Sequence, residues 1–229
     1  PDADAVLHWS PEYNVLDTSG FRGLVCCFLG DWLINIPDLS RYALIATDRR
    51  GVREVGKGDP RFIYWRGFSF DPRLHFCPDE DADTPMIRDY DVVFMGRDVP
   101  TRRPYLEALH QWGERTGRRV HIDTNYPRGR EADVYRRSKI AWRMSQRDEL
   151  PMGTYESAAC GALAVLQHDA LSEIVAAHAP IPTYDASSME GMTAFLESWL
   201  ANPVELAKWT DRQRTWAARE TPARHLNWL

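Results

Sequence analysis

The chain has no apolar stretch long enough to cross a bilayer; the run Gly23-Leu-Val-Cys-Cys-Phe-Leu29 is far below the ~20 residues a spanning helix needs. No basic-then-apolar leader opens it. There is no long run of one charge sign, and 28 Lys and Arg against 33 Asp and Glu leave a net charge of −5. Wholesale nucleic-acid binding is therefore not expected. No Gly-x-Gly-x-x-Gly follows any strand-like run, which argues against a dinucleotide-dependent dehydrogenase. Cysteine is scarce: Cys26, Cys27, Cys77 and Cys160 lack the paired spacing of a metal site. Cys26 and Cys27 adjoin within an apolar run and would point to opposite faces of a strand, as buried thiols rather than a bridge. A reducing, cytoplasmic setting is expected. The acidic Asp79-Glu-Asp-Ala-Asp83 contains Asp-x-Asp, but it lies among prolines rather than after an apolar strand, so it reads as linker and no metal is expected. The sequence opens at Pro1 rather than Met, as a piece of a longer protein would.

What is present supports a real core. Of the 229 residues 44% are hydrophobic, and most of the nine Trp are expected in the core or at its rim. Short apolar runs at residues 5–9, 24–29, 42–46, 62–65, 91–95, 119–122, 140–144 and 162–166 read as strands. Helical patterns lie between them. Residues 103–112 put Tyr105, Ala108, Leu109 and Trp112 on one face, and residues 192–200 do the same with Met192, Phe195, Leu196, Trp199 and Leu200. Asn202-Pro203 reads as an N-cap and first helical residue, and Asp169 as the cap of a helix over 170–177. The alternation implies an α/β fold with parallel sheets covered on both faces. A Pro- and acid-rich seam divides it into residues 1–78, a linker at 79–85, a fuller unit at 86–215 and a C-terminal tail or helix at 216–229.

The most informative stretch is Met152-Gly-Thr-Tyr-Glu-Ser-Ala-Ala-Cys-Gly161, followed by the small apolar run Ala162-Leu-Ala-Val-Leu166. It reads as a short helix opening near Gly153, a stop at Gly161 and a buried strand. A helix start offers unpaired amides and a positive dipole end, which suit a phosphate. Glu156, read as lying in the first turn, repels phosphate and is suited instead to accept hydrogen bonds from sugar hydroxyls. Phosphate and sugar together describe a nucleotide-sugar. A second candidate follows the run 91–95: Gly96 permits close backbone approach, and Arg97 with Arg102 or Arg103 can clamp a diphosphate at a strand's carboxyl end. Residues 128–147 are locally basic, a rim for an anionic ligand.

Glu156-Ser-Ala-Ala-Cys-Gly161, Asp91-Val-Val-Phe-Met-Gly-Arg97, Ser138-Lys-Ile140 and Asp148-Glu-Leu-Pro-Met152 together resemble the group 1, GT-B-fold glycosyltransferases, most closely their CgeB-like spore-maturation branch. The resemblance covers roughly residues 40–220. It implies two Rossmann-like units facing a cleft, the first incomplete here, with residues 67–78 joining them. It implies sugar transfer from a nucleotide-sugar (UDP-, GDP- or dTDP-linked) to a glycan, protein or small-molecule acceptor, in surface polysaccharide, glycoprotein or spore-coat synthesis, with no cofactor. By the same resemblance Glu156 holds the ribose hydroxyls, Asp148 contacts the sugar, Ser138 and Lys139 start the strand beside the base, and Met152, Gly153, Thr154 and Tyr155 line the phosphates. Two departures stand out: Asp148 replaces a Glu, and Gly153 stands where CgeB-like members often carry Arg. Loss of that charge would leave the phosphates to backbone amides and Arg97. If configuration inverts, the first unit should supply a base for the acceptor, with Asp31 preferred over His8. A nucleotide-sugar epimerase and a non-catalytic nucleotide-sugar-binding module are the alternatives.

Overall fold

A computed structural model describes residues 4–9, 11, 14–29, 35–65, 70–78, 87–127, 129–145 and 149–221. The chain divides into two compact units, Pro1–Gly67 and Phe68–Leu229.

In the first unit β1 (Ala5–Trp9), β2 (Leu24–Leu29), β3 (Leu44–Thr47) and β4 (Phe62–Tyr64) form a parallel sheet in that order. Alternate residues of β2 and β3 enter a small core of Cys27, Leu29, Ile45 and Tyr42. Cys27 is fully buried and Cys26 half-buried, and neither is in a disulfide. The third strand starts later than its apolar run because the Tyr42 amide donates to Leu39 O in a turn. A short α1 (Arg49–Gly51) follows β3 and continues into a wider π-type turn over Val52–Gly56.

The second unit is a five-stranded parallel sheet ordered β6-β5-β7-β8-β9. Its strands are β5 (Tyr90–Met95), β6 (Val120–Asp123), β7 (Ser138–Trp142), β8 (Leu163–Gln167) and β9 (Thr183–Tyr184). The central strands are buried on both faces, so they read as continuous apolar runs, yet the period of two survives in what each residue meets. Val92, Phe94, Ile140 and Trp142 pack with Leu106, Leu109 and Trp112 of α2 (Arg103–Thr116) and with Met192 and Leu196 of α6 (Met189–Leu200). Val93, Met95 and Ala141 pack with Ala132, Val134 and Tyr135 of α3 (Arg130–Arg136). Beyond β8 a third cluster joins α4 (Met152–Ala159), α5 (Leu171–Ala176) and α7 (Pro203–Ala217). The Asn202 side chain accepts from the Glu205 amide at 3.2 Å, the expected cap.

Several boundaries differ from the sequence reading. Phe70 is buried with Leu150 and Tyr155, so residues 70–78 pack on the second unit rather than ending the first. Trp216 and Ala217 are buried at the end of the last helix, so the second unit's core runs on past residue 215. After β8 a 3₁₀ turn starts at His168, so Asp169 lies inside that turn, whose own N-cap, Gln167, makes no side-chain cap. The two-residue β9 was not anticipated; it is brief and follows Pro180 and Pro182. The acidic seam, residues 79–86, lies outside the described residues. Among the described residues no helix is long and apolar enough to cross a membrane.

Candidate functional site

The strand order fixes where a ligand can enter. From β5 the chain steps outward to β6 and then crosses back to β7 on the other side. The crevice at the carboxyl ends of β5 and β7 is thus a topological switch point, the usual ligand position in open α/β sheets. Gly96-Arg97 leaves β5 there, Arg143 leaves β7 there, and α4 begins eight residues after Met144.

Helix α4 starts at Met152 behind an extended Pro151, and the Thr154 amide donates to Pro151 O at 2.8 Å. Glu156 is therefore its fifth residue and not in the first turn; it is buried in the helix's second turn, away from the dipole end. Gly161 ends the segment with φ +80°, and a side chain there would strike Cys77 Sγ at 2.8 Å.

A buried arginine occupies the head of α4. The Arg143 guanidinium donates from Nη1 to Met95 O at 2.6 Å and from Nη2 to Tyr135 Oη, and lies 5.1 Å over the Tyr135 ring. Its Nε is buried without a hydrogen-bond partner among the described residues, as is Thr154 Oγ1. A Cβ on Gly153 would lie closer than 3.0 Å to three atoms of this guanidinium. The charge expected to be missing at Gly153 is thus supplied from β7, and the absent side chain makes room for it. Burial pushes the Tyr135 phenol far up despite the nearby Arg143, so it remains a neutral hydroxyl that accepts from the guanidinium. The loop after β7 is pinned by a reciprocal pair: Gln167 Oε1 accepts from the Ser145 amide at 2.8 Å and Gln167 Nε2 donates to Ser145 O at 2.7 Å.

The other expected site residues divide. Arg97 is exposed and has no side-chain partner among the described residues, so it is available to an anion. Arg102 is committed to structure, donating to Met144 O from Nε and Nη2 at 3.1 and 2.7 Å; burial lowers its pKa. Arg103 pairs with Asp98 at 2.9 Å on the surface. Met152 is half exposed. Tyr155 is core, stacked on Trp216 with centroids 4.9 Å apart. Ser138 and Lys139 sit at the amino end of β7, Ser138 in register with Tyr90, at the opposite edge from Gly96. Ser138 Oγ donates to Val134 O, and Lys139 Nζ donates to Asp91 Oδ1 at 2.7 Å. They do not join the site. Burial pushes the Asp91 carboxyl up, but Lys139 and the Arg119 amide and side chain outweigh it and hold it below the ordinary range. Because that pKa is depressed on folding, the stabilisation is present at neutral pH and is lost as pH falls through the folded value. Lys139→Met is expected to cost about 1–2 kcal/mol at pH 7. It should also flatten the loss of stability in acid and leave ligand binding unchanged, as urea melts at pH 4 and 7 would show.

Asp31 and Asp148 lie outside the described residues, as do Gly67, Phe68 and Arg128. His8 is buried, with Nδ1 2.7 Å from Tyr42 Oη, which also accepts from Arg41; burial, then Arg41, lowers its pKa. Burial pushes the Cys160 thiol up to about 12, consistent with an inert core position. Arg143 was passed over in the sequence as one of seven basic residues in a row of charge; a side-chain-free Gly153 at a helix head was the signal for it.

A family profile described as glycosyl transferase-like matches residues 85–227, well over half of the chain. The chain belongs to that family. The matched stretch holds every element from β5 to α7, and so the whole of the crevice. No curated protein sequence matches the chain. Among solved structures, TarM superposes with a TM-score of 0.64 at 10% identity, over 93% of this chain and 51% of its own. Sucrose-phosphate synthase from Thermosynechococcus elongatus gives 0.61 at 12%, over 92% and 67%. Anabaena HepE in complex with UDP gives 0.61 at 12%, over 93% and 74%. HepE has also been solved with UDP-glucose. At these identities the likeness is one of fold: two parallel-sheet α/β units of the GT-B type. The glycosyl transferase-like chain spans about half the length of TarM.

Proposed function

We propose that this chain carries the donor half of a glycosyltransferase, which moves a sugar from a nucleotide-sugar to a glycan, protein or small-molecule acceptor. One observation carries the reading. A buried guanidinium, the free head of α4 and a buried carboxylate one turn further on converge at the switch point of the sheet. A diphosphate needs the first two, and ribose hydroxyls suit the third.

In the reaction the bond from the sugar's anomeric carbon to the diphosphate oxygen breaks, and a bond from the acceptor oxygen forms. Negative charge grows on the leaving diphosphate. Arg143, fixed by Met95 O and the Tyr135 hydroxyl, stabilises that charge without reorganising, and the amides of Met152 and Gly153 add to it. Arg97, exposed beyond β5, can close on the outer oxygens. The roles of Asp31 and Asp148 stay as the sequence proposes them, as does membership of the CgeB-like branch. That HepE has been solved with UDP and with UDP-glucose supports a uridine donor as the first to try.

The test is a thermal-shift series with UDP-glucose, GDP-mannose and dTDP-glucose on wild type and Glu156→Ala. Mass action predicts about 2.7 kcal/mol of added stability at a hundredfold excess over the dissociation constant. One nucleotide-sugar should stabilise wild type, and Glu156→Ala should abolish the effect. No shift with any of the three in folded protein would reject the donor site.

A further inference from the structure

Three side chains able to ligate a metal come from three separate pieces of the second unit to one buried spot: His75, Glu131 of α3 and Glu156 of α4. One ligand atom from each lies within 4.8 Å of the other two. His75 Nε2 is 3.4 Å from Glu131 Oε1 and 3.8 Å from Glu156 Oε1, and the three side chains are at most 10% exposed. Both separations exceed those of an N–H···O hydrogen bond, about 2.7–3.2 Å. Accordingly His75 Nε2 is buried with no hydrogen-bond partner among the described residues. A buried ring nitrogen left unpaired is costly, and two neighbouring carboxylates repel each other. One cation between the three relieves both. Tetrahedral Zn²⁺, with nitrogen and oxygen ligands at about 2.0–2.2 Å, keeps neighbouring ligand atoms about 3.3–3.5 Å apart. The His75–Glu131 separation already matches, and the His75–Glu156 one needs only a small side-chain adjustment. Octahedral Mg²⁺ would need the ligands drawn in to about 3.0 Å.

The groups behind the ligands also suit a metal. His75 Nδ1 is 3.2 Å from Asp71 O. A carbonyl only accepts, so Nδ1 carries a proton, and in the neutral ring Nε2 turns its lone pair toward the two carboxylates. Ligating imidazoles commonly donate their other N–H to a carbonyl in this way. Glu131 Oε2 accepts from the Gly129 amide at 2.7 Å, while its Oε1 is the oxygen near the ring. The segment bearing His75 is held by buried Phe70 and by Arg136, which donates to Leu74 O at 2.9 Å and to Phe76 O at 3.4 Å.

We propose that His75 Nε2, Glu131 Oε1 and Glu156 Oε1 form a site for one Zn²⁺ ion, which ties the segment 70–78 to α3 and α4. The imidazole sets the choice of metal, since nitrogen suits zinc whereas Mg²⁺ and Ca²⁺ prefer oxygen alone. The inference goes beyond the donor reading and does not rest on it. An ionised carboxylate has about four lone-pair sites, so ligation through Glu156 Oε1 is compatible with a ribose contact.

The experiment measures metal binding with no nucleotide present. Wild type, His75→Ala, Glu131→Gln and His110→Ala are assayed for metal content as purified, then dialysed against a chelator. Each is titrated calorimetrically with Zn²⁺, Mg²⁺ and Ca²⁺, with a thermal melt at each end point. His110→Ala is the control, because exposed His110 lies 3.5 Å from Glu114 on one helix face and such surface pairs pick up zinc adventitiously. Wild type should bind one equivalent of Zn²⁺ and melt at a higher temperature with it, but not with Mg²⁺ or Ca²⁺. Removing even a group behind a ligand costs about 10- to 100-fold in affinity, so His75→Ala and Glu131→Gln should each bind Zn²⁺ at least about a hundredfold more weakly. His110→Ala should bind as wild type does. If His75→Ala does not fold, Glu131→Gln carries the test, since it keeps the side chain's shape. No zinc retained or taken up by folded wild type would overturn the proposal. So would zinc binding unchanged in Glu131→Gln, or lost in His110→Ala instead, or matched by Mg²⁺. The donor site stands or falls separately, on the thermal-shift series with nucleotide-sugars.

Discussion

Gly153→Ala is expected to destabilise the second unit by about 3 kcal/mol and to abolish nucleotide-sugar binding. Helix propensity alone predicts the opposite, since Gly inside a helix is about 0.5–1 kcal/mol worse than Ala. The added methyl, however, would occupy the place of the Arg143 guanidinium. That group is buried, so it cannot step aside into water. It would have to break from Met95 O and the Tyr135 hydroxyl, leaving a buried charge with fewer partners. Such losses run to about 3–5 kcal/mol when one partner is removed, and overpacking adds to them. Urea denaturation of Gly153→Ala and of the double variant Gly153→Ala/Arg143→Ala would separate the two terms. The double variant should recover part of the stability and none of the binding. A stabilised Gly153→Ala that still binds donor would mean that Arg143 does not occupy the helix head.

The fold was legible because its strands are short apolar runs separated by helical periods. β1 and β2 fall on the expected residues, β5 starts one residue earlier, and β8 is displaced by one residue at both ends. Local signals failed where a tertiary partner decides. Ser138 and Lys139 looked like site residues beside a base. They begin β7, but at the amino edge, where Lys139 serves buried Asp91. A motif gives position along the chain, whereas the edge of the sheet it reaches depends on the direction of the strand. Glu156 was found for a sound chemical reason but placed a turn too early, because Pro151 caps the helix in an extended conformation and starts it at Met152. His75 and Glu131 are 56 residues apart in sequence and belong to different elements. Nothing in composition or spacing brings them together; packing of the segment 70–78 on α3 and α4 does. The same packing explains why the boundary between the units falls at Gly67 and Phe68, ahead of the acidic seam. A seam rich in Pro and Asp marks a turn in the chain, but Phe70 buried beside Leu150 marks which unit owns it.

Trp216→Ala should be the other large effect, about 3–5 kcal/mol, the usual cost of emptying a buried tryptophan site. Trp216 is 7% exposed, stacks on Tyr155 and donates from Nε1 to Ala177 O at 3.3 Å. It therefore ties the last helix to both α4 and the turn after α5. One turn earlier, Gln213 braces β8: its Oε1 accepts from the Ala164 amide at 2.7 Å and its Nε2 donates to Ala164 O at 2.8 Å, as a neighbouring strand would. The C-terminal helix thus supports the back of the helix whose head forms the candidate donor site. Removing the indole leaves Tyr155 without its partner face and lets α4 shift at a site that tolerates little displacement. Donor affinity should fall along with stability, although Trp216 lies in the core cluster behind α4 rather than at its head. Trp216→Phe keeps most of the stacked area and loses only the Nε1 bond, so it should cost about 1 kcal/mol and bind donor normally. Chemical denaturation and donor titration of the two variants would test the chain of support. Equal stability of Trp216→Ala and wild type would show that the indole does not tie the last helix to α4.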